Sequence, residues 1–459
     1  MDTSTRNYTD DLPLSGGWDL VIAGAGPAGC AAALAAGRAG LRVLLLEAGT
    51  RPGGMGTAGM VSSFAPMSDG HRCVAGGIAL ELVECLHERG GLGPQVGPDY
   101  WHRALQRWIP FQPEELTLLY DELLSAAGVT VRYGARAVRA ISTTLQDGTI
   151  HVEALVIADI EGLWLAGGRT FLDATGDAVV ATEAGFAVRR AGQDSPRIMP
   201  PTLCALFAGI DWNRMAMSPS GNCPDRQQVQ LEQAITDGCF TRKDRHLPGL
   251  YRIAPGLGMM NAGHLFDTDA VDGNSLSQAY AKGRRLVREF LAFYRTYIDG
   301  CQEMRLVSTA PLLGVRESRR ILGEYELVHA DYQRRARFKD GIGLCSGSVD
   351  IHVYDDSPAE YERYRQEFEK QDRQGPGESF GIPYRILVPQ GASNLWVAGR
   401  CASTDLKVQG ALRIQPAAAV MGQAAGLAAA VSLETGRGAS QLDIPELRSR
   451  LAKAGAILD

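Results

Sequence analysis

The sequence predicts an α/β chain: a parallel, Rossmann-like dinucleotide-binding sheet interrupted by an inserted mixed α+β domain. Three observations carry this. Residues 19–47 read as strand, glycine turn, helix, strand. Between about Pro200 and Pro383 the composition shifts to more Arg, Tyr, Pro and polar loops. After that stretch the pattern of apolar strand and small-residue helix resumes. A first domain completed from the C-terminus explains all three.

The elements follow in order. Asp19–Ala23 is a short apolar run ending in turn glycines, and a helix of small residues runs from Ala28 to Arg38, stopped by Gly40. Leu41–Glu47 (LRVLLLE) is continuously apolar, as a parallel strand covered on both faces should be. Pro113–Ala127 opens Pro-Glu-Glu and ends at Gly128, with start and stop signals of a helix. Strands are expected at Val129–Tyr133, Ile150–Ile157, Trp164–Ala166 and Thr170–Ala174. In the inserted part, helices are expected near Ser275–Tyr297 and Ala359–Gln371. Asn394–Ala398 restores the strand pattern, and the Ala-rich Pro416–Leu433 reads as a buried helix, not a membrane span, because it is full of Ala and Gly, is too poor in Leu, Ile and Phe to favour insertion, and carries Gln423. The expected division is a tail at 1–16, a discontinuous first domain at 17–59, 112–199 and 384–437, a substrate domain at 60–111 and 200–383, and a C-terminal helix and tail at 438–459.

Composition narrows the function. With 459 residues, 45% hydrophobic and 21% charged, the chain can bury a large core. A net charge of −6 and no basic stripe argue against nucleic acid or a polybasic membrane surface as partner. Nine scattered cysteines without a Cys-x-x-Cys fit free thiols in a reducing, cytoplasmic setting, and no metal-ligand spacing is present. The polar, acidic N-terminus lacks the pattern of a signal peptide.

The chemistry starts at Gly24-Ala25-Gly26-Pro27-Ala28-Gly29, between strand and helix. Gly24 permits the tight turn, Gly26 admits a pyrophosphate against the backbone, and Gly29 allows close packing of helix on strand. The helix start offers free N–H groups and partial positive charge. Glu47, ending the next strand, has the place of the acid that binds an adenosine ribose, which fits FAD or NAD and disfavours a 2′-phosphate. Further clusters favour FAD: Arg51-Pro52-Gly53-Gly54-Met55-Gly56, then Asp173-Ala174-Thr175-Gly176-Asp177, then Ala398-Gly399-Arg400-Cys401.

This set resembles the two-dinucleotide-binding-domain flavoproteins of the glutathione reductase superfamily, on the branch with fumarate reductase. Within it, the chain is most similar to the broad FAD-dependent oxidoreductase family. The similarity extends to Gly314-Val315-Arg316-Glu317-Ser318-Arg319-Arg320-Ile321, Asp350-Ile351-His352, Ile382-Pro383-Tyr384-Arg385, and Arg413-Ile414-Gln415-Pro416 leading into Met421–Gly426. It covers residues 17–435. The resemblance implies a noncovalent FAD contacted by Gly24, Gly26, Pro27, Ala28, Gly29, Glu47, Ala48, Gly53, Gly54, Met55, Ala135, Ala174, Thr175, Gly176, Asp177, Gly399 and Arg400. The helix opening at Pro416 would face the flavin N1–C2=O edge, which gains negative charge on reduction, with Ile414 and Gln415 near the ring.

Arg316, His352 and Tyr384 are the catalytic candidates. Arg316 suits a substrate carboxylate or carbonyl, or else ion pairs through Arg316, Arg319 and Arg320 to Glu317 and Glu324. His352, in the alternating strand-like stretch SVDIHVYDD, suits an acid/base role or a hydrogen-bonded structural one. His264 departs from the family pattern and is a candidate for tuning substrate choice. The expected function is dehydrogenation or desaturation of a small organic substrate by hydride transfer to FAD, with oxygen or another acceptor taking the electrons. The alternatives are an NAD(P)H-dependent monooxygenase, for which the late Gly-Asp is replaced by Gly399-Arg400 and no second nucleotide fingerprint exists, and a protein with structural FAD. Oligomeric state is left open by the sequence.

Overall fold

A computed structural model describes residues 11–195, 197–217, 224–369 and 373–459. Strand β1 (Leu14–Ala23) leads through the glycine turn into helix α1 (Pro27–Arg38) and strand β2 (Val43–Glu47). Helix α2 (Pro113–Ala126) precedes β3 (Thr130–Tyr133), and β4 (Arg136–Thr144), β5 (Ile150–Asp159) and β6 (Gly162–Asp173) form an antiparallel meander. A second group holds β7 (Ala205–Ala208), β8 (Leu250–Ala254), β9 (Leu257–Met260), the long helix α3 (Gly273–Tyr297) and β10 (Arg305–Thr309). The chain returns through β11 (Leu395–Val397), α4 (Gln415–Thr435) and α5 (Ile444–Lys453).

The larger sheet has seven strands, ordered β3-β2-β1-β6-β5-β4, with β11 also pairing to β6. β3, β2, β1, β6 and β11 run parallel, so their apolar runs are covered on both faces; Leu20–Ala23 and Val43–Leu46 are buried. The return of β11 beside β6 closes the first domain from the C-terminus, as the sequence predicts. The smaller sheet, β8-β9-β7-β10, is antiparallel and packs on α3 through Phe207, Met260, Val287, Phe290 and Phe293.

Helices α1 and α4 meet backbone to backbone. A Cβ at Gly422 would lie 2.0 Å from the Ala28 carbonyl oxygen, and one at Gly426 would lie 2.3 Å from that of Ala32. Among the described residues α4 is the helix long and apolar enough to cross a membrane, yet 94% of its apolar window is buried. The small residues that made it look unlike a membrane span serve this close contact.

Several expectations need correction. Residues 14–16 belong to β1 and not to a tail; residues 1–10 lie outside the described part. Residues 60–111 join the first core, contributing Phe64, Ile78, Leu82, Leu86, Trp101 and Phe111. So do Ile321, Leu327, Ile342, Phe380 and Ile382, and, near the C-terminus, Leu447 and Leu451. The second core is therefore built from residues within 203–315. Strand β4 has no sequence expectation, because its exposed alternation of Arg, Ser and Thr carries no core face. β6 runs unbroken where two strands are expected, since Gly167 and Gly168 sit inside it. Helix Ala359–Gln371 is a seven-residue helix, Pro358–Tyr364, followed by one wide turn at Arg365–Glu369; Gln371 lies outside the described residues. SVDIHVYDD forms no strand; Asp350 meets His352 and Arg413, and Asp355 accepts from the Ser357 N–H.

Candidate active site

The glycine turn forms a cradle whose walls are closed and whose floor is open. Gly24 has φ +97°, and a Cβ there would lie 2.6 Å from the Ala174 carbonyl oxygen. A Cβ at Gly29 would lie 1.8 Å from the Gly24 oxygen, and one at Gly54 would lie 2.8 Å from the Gly26 Cα. At Gly26 itself nothing lies within 4 Å of that position. Space is thus kept clear over the start of α1, where first-turn N–H groups lack helical partners. Glu47 fixes the rim: its Oε2 accepts from the Ala25 N–H at 2.8 Å and its Oε1 from the Gly49 N–H at 2.7 Å. The Ala135 N–H closes on the Glu47 carbonyl at 2.9 Å, and the Gly53 N–H on that of Ala25 at 2.7 Å. Pro27 and Ala28 open α1, Ala48 follows the acid on the surface, and Met55 lies in the single turn Gly54–Gly56.

The other glycine clusters converge on the same place. The Ala174 N–H donates to the Ala23 carbonyl at 2.9 Å, and Thr175 Oγ1 donates to Asp173 at 2.7 Å. Gly176 and Gly399 have φ +76° and +90°, the left-handed region that favours glycine. Arg400 spans them by donating to the Gly176 carbonyl at 2.8 Å, to Asp177 at 2.6 Å and to the Val315 carbonyl. Its guanidinium clamps two strand ends together. Helix α4 begins at Ile414 with no side-chain cap although its first turn is buried. The Gln415 amide donates to the Val61 and Ser63 carbonyls at 2.7 and 3.1 Å, leaving its buried Oε1 without a partner. Open space at Gly26, an uncapped buried helix start and an orphaned amide oxygen fit the pyrophosphate and the ring of FAD.

A second constellation lies one step from α4. Arg413, immediately before Ile414 and Gln415, donates through Nη2 to Asp350 Oδ2 at 2.8 Å. Asp350 contacts His352 Nε2 at 3.3 Å, His352 Nδ1 meets His264 Nε2 at 2.8 Å, and His264 Nδ1 meets Asp244 Oδ1 at 3.1 Å. Local backbone sets this up. A Cβ at Gly410 would lie 2.8 Å from the Asp350 carbonyl oxygen, so the helix before Arg413 presses directly on that loop. Gly263, at φ +76°, turns the chain so that the His264 N–H donates to Asp244 at 2.6 Å. Asp244 also accepts from the His246 N–H at 3.1 Å and from the Tyr361 hydroxyl at 2.8 Å. His246 stacks on His264 with ring centroids 4.1 Å apart.

Electrostatics keeps these rings neutral. Burial and the nearby Arg316 cation push His352 down to about 3, against the opposing pull of Asp350. Burial lowers His264 despite Asp244, and lowers His246 well below the ordinary range, helped by the other two histidines. His352, Arg413 and Arg316 hold Asp350 well below the carboxylate range. Arg316 is nearly buried and pushed down to about 10 by desolvation and by Arg413. The ligand nitrogens of the three histidines lie within 4.8 Å of one another. Two of them are already joined by a hydrogen bond, His246 is stacked rather than converging, and two guanidinium groups stand by. This arrangement favours proton traffic over a dication.

The candidates of the sequence divide accordingly. His352 belongs to this cluster, and Arg316 acts on it through its charge. None of the ion pairs considered for Arg316, Arg319 and Arg320 forms: Arg316 donates to the Pro200 carbonyl at 2.6 Å and to Thr202 Oγ1 at 2.9 Å, and Arg320 pairs with Asp194. Glu317 accepts from the Met199 N–H and Glu324 from the Gly391 N–H. Tyr384 is a correction. It is buried, its hydroxyl donates to the Ala439 carbonyl at 2.8 Å and accepts from Trp396 Nε1 at 2.6 Å, so its polar group serves the core. Asp244 and His246 escaped the sequence reading; the only signal was Asp-x-His within a chain of eight histidines.

The fold and the cradle define an FAD-binding oxidoreductase. The profile of the family described as FAD dependent oxidoreductase matches residues 19–451, and the chain belongs to that family. A short segment is similar to the sarcosine oxidase subunit alpha of Rhizobium meliloti (strain 1021), 64% identical over 36 residues, or 8% of this chain and 4% of that relative. Among solved structures, the chain is similar to a geranylgeranyl bacteriochlorophyll reductase-like protein from Thermoplasma acidophilum. It is 12% identical, with TM-score 0.46 and coverage of 96% and 83% of the two chains. It is also similar to a myxobacterial chondrochloren halogenase, at 11% identity, TM-score 0.44 and coverage of 96% and 78%.

Proposed function

We propose that this FAD-dependent oxidoreductase is a dehydrogenase or oxidase of a small organic molecule, with Arg316 holding the substrate and His352 taking its proton. The observation that carries the reading is the continuous path from the start of α4 through Arg413 and Asp350 to His352. It links a neutral base, through Asp350 and Arg413, to the helix start that would face the flavin ring. FAD, when bound, supplies the two-electron acceptor. The substrate loses a C–H hydrogen with its electron pair, the proton on the adjacent nitrogen or oxygen passes to His352 Nε2, and a C=N or C=O bond forms. Oxygen or another acceptor then takes the electrons. Arg316 offers a guanidinium with no carboxylate within 4.0 Å among the described residues, which suits an acidic or carbonyl-bearing group.

Anaerobic mixing of the purified holoprotein with panels of small amines, alcohols and hydroxy acids, following flavin bleaching, tests this directly. Bleaching by an organic substrate alone is expected. Rapid bleaching by NADPH, stimulated by the organic compound, would turn the reading to a monooxygenase. His352→Ala should slow substrate-driven bleaching by about 100- to 10,000-fold with FAD retained, the usual effect of removing a general base.

A further inference from the structure

The four-membered chain Asp244–His264–His352–Asp350 has a proton count that its hydrogen bonds do not balance. Its three contacts measure 3.1, 2.8 and 3.3 Å. Ionised carboxylates only accept, so each contact needs one ring proton, three in all. Two neutral imidazoles carry two. The vacancy has one cheap location. Placing it between the rings would set two lone pairs face to face at the shortest contact. Placing it at Asp244 would leave a bare nitrogen against a carboxylate whose surroundings are buried and fixed by three further donors. The longest contact, His352 Nε2 to Asp350, is left. Asp350 is also the accessible member: its side chain is 56% exposed, against 11% for His352 and 2% for His264.

The charges make the vacancy conditional. Facing the pair are Asp244 and Asp350, Arg316 and Arg413, and the neutral His246. Two carboxylates and two guanidiniums cancel, so the free site is neutral with the ring pair uncharged. A monoanion on the unpaired Arg316 leaves the site one negative charge in excess and offsets the Arg316 cation, which together with burial keeps His352 from protonating. The third proton then enters at His352 Nε2, where it donates to Asp350 and completes the chain.

We infer that the site takes a small monocarboxylate together with one proton, Asp244 and His264 acting as positioning residues behind His352. For a substrate the proton comes from the amine or hydroxyl beside the carbon being oxidised, so the carboxylate that docks the molecule also makes its base competent. For a carboxylate with no such group it comes from solvent. The inference rests on the dehydrogenase reading for the role of the base, but its test does not use turnover.

The test is calorimetric titration of the FAD-loaded protein with propionate at pH 7.5, in two buffers of different ionisation enthalpy, which counts protons per anion bound. Proton uptake is expected, growing towards one per anion as the titration is repeated at lower pH. His352→Gln should bind propionate with no uptake. His264→Asn should lower the uptake and move its pH profile while FAD content and unfolding temperature stay near those of the parent. Arg316→Gln should weaken propionate by about 10- to 100-fold, the loss of a charge-assisted pair. If an Arg316 variant fails to load FAD, chloride against propionate competition in the parent replaces it, with mutual exclusion expected. Propionate binding without proton uptake, uptake that survives in His352→Gln, or no propionate binding at all would each overturn the inference. Flavin bleaching by uncharged amines or alcohols alongside any of these would leave the dehydrogenase reading standing and the inference fallen.

Discussion

The cradle around α1 and the cluster around His352 make opposite demands on a sequence. The cradle works through backbone: closed contacts at Gly24, Gly29 and Gly54 around an open Gly26, with Glu47 one strand away. Such a site is written in consecutive residues, because the absence of a side chain at fixed spacing is the functional feature. The cluster works through side chains brought from Asp244, His264, Arg316, Asp350 and Arg413, in separate loops. Each alone has an ordinary structural explanation. A dinucleotide site is therefore readable one segment at a time, whereas a proton path becomes visible only when the distances are known.

The largest expected effect strikes the backbone half. Gly422→Val would drive a branched side chain into the Ala28 carbonyl, which a Cβ alone already meets at 2.0 Å. Equilibrium denaturation should show a loss of more than about 3 kcal/mol, beyond ordinary overpacking, together with lost FAD. Retention of both would show that α1 and α4 can part without cost, and that the cradle is less rigid than its contacts.

Acid probes the side-chain half. An unfolded histidine titrates near 6.5, while folded His352 is held to about 3, so folding excludes a proton at intermediate pH. A depressed folded value means stability is fully present above 6.5 and lost as pH falls towards 3. From pH 7 to pH 5 this one group should cost about 2 kcal/mol, read as a falling denaturation midpoint. His352→Gln should flatten that part of the slope. An unchanged slope would place His352 in a wetter setting than its neighbours indicate.

The smallest effect on the chemistry belongs to a core residue outside both halves. Tyr384→Phe removes an acceptor for Trp396 Nε1 and a donor to the Ala439 carbonyl. A stability loss of about 1–3 kcal/mol is expected, with substrate-driven flavin bleaching within about twofold of the parent. A fall of a hundredfold in bleaching with stability intact would return Tyr384 to the chemistry.

Legibility followed the same division. The parallel strands and α1 were readable because continuous apolar runs and small-residue helices have few other uses. The return of β11 and α4 was readable because the strand pattern resumes after the insertion. Residues 60–111 were misplaced: their apolar residues suit either core, and only packing of Phe64, Leu82 and Phe111 decides which. In the site, Arg316 and His352 were singled out from motif likeness, yet the ion pairs weighed for Arg316 do not form, since the Pro200 carbonyl and Thr202 bind it first. Asp244 was invisible because a buried aspartate in an Asp-Arg-His turn looks like any surface loop until His264 folds onto it.

The contact of Gly422 and Gly426 with Ala28 and Ala32 also has a consequence for synthesis. α1 is finished at Arg38, but the surface that covers it is the helix ending at Thr435. A nascent chain therefore carries its nucleotide fingerprint with one flank of α1 bare until the segment Gln415–Thr435 has been made. The cradle becomes complete only when α4 has emerged, so flavin capture waits on a segment made far later than the fingerprint itself.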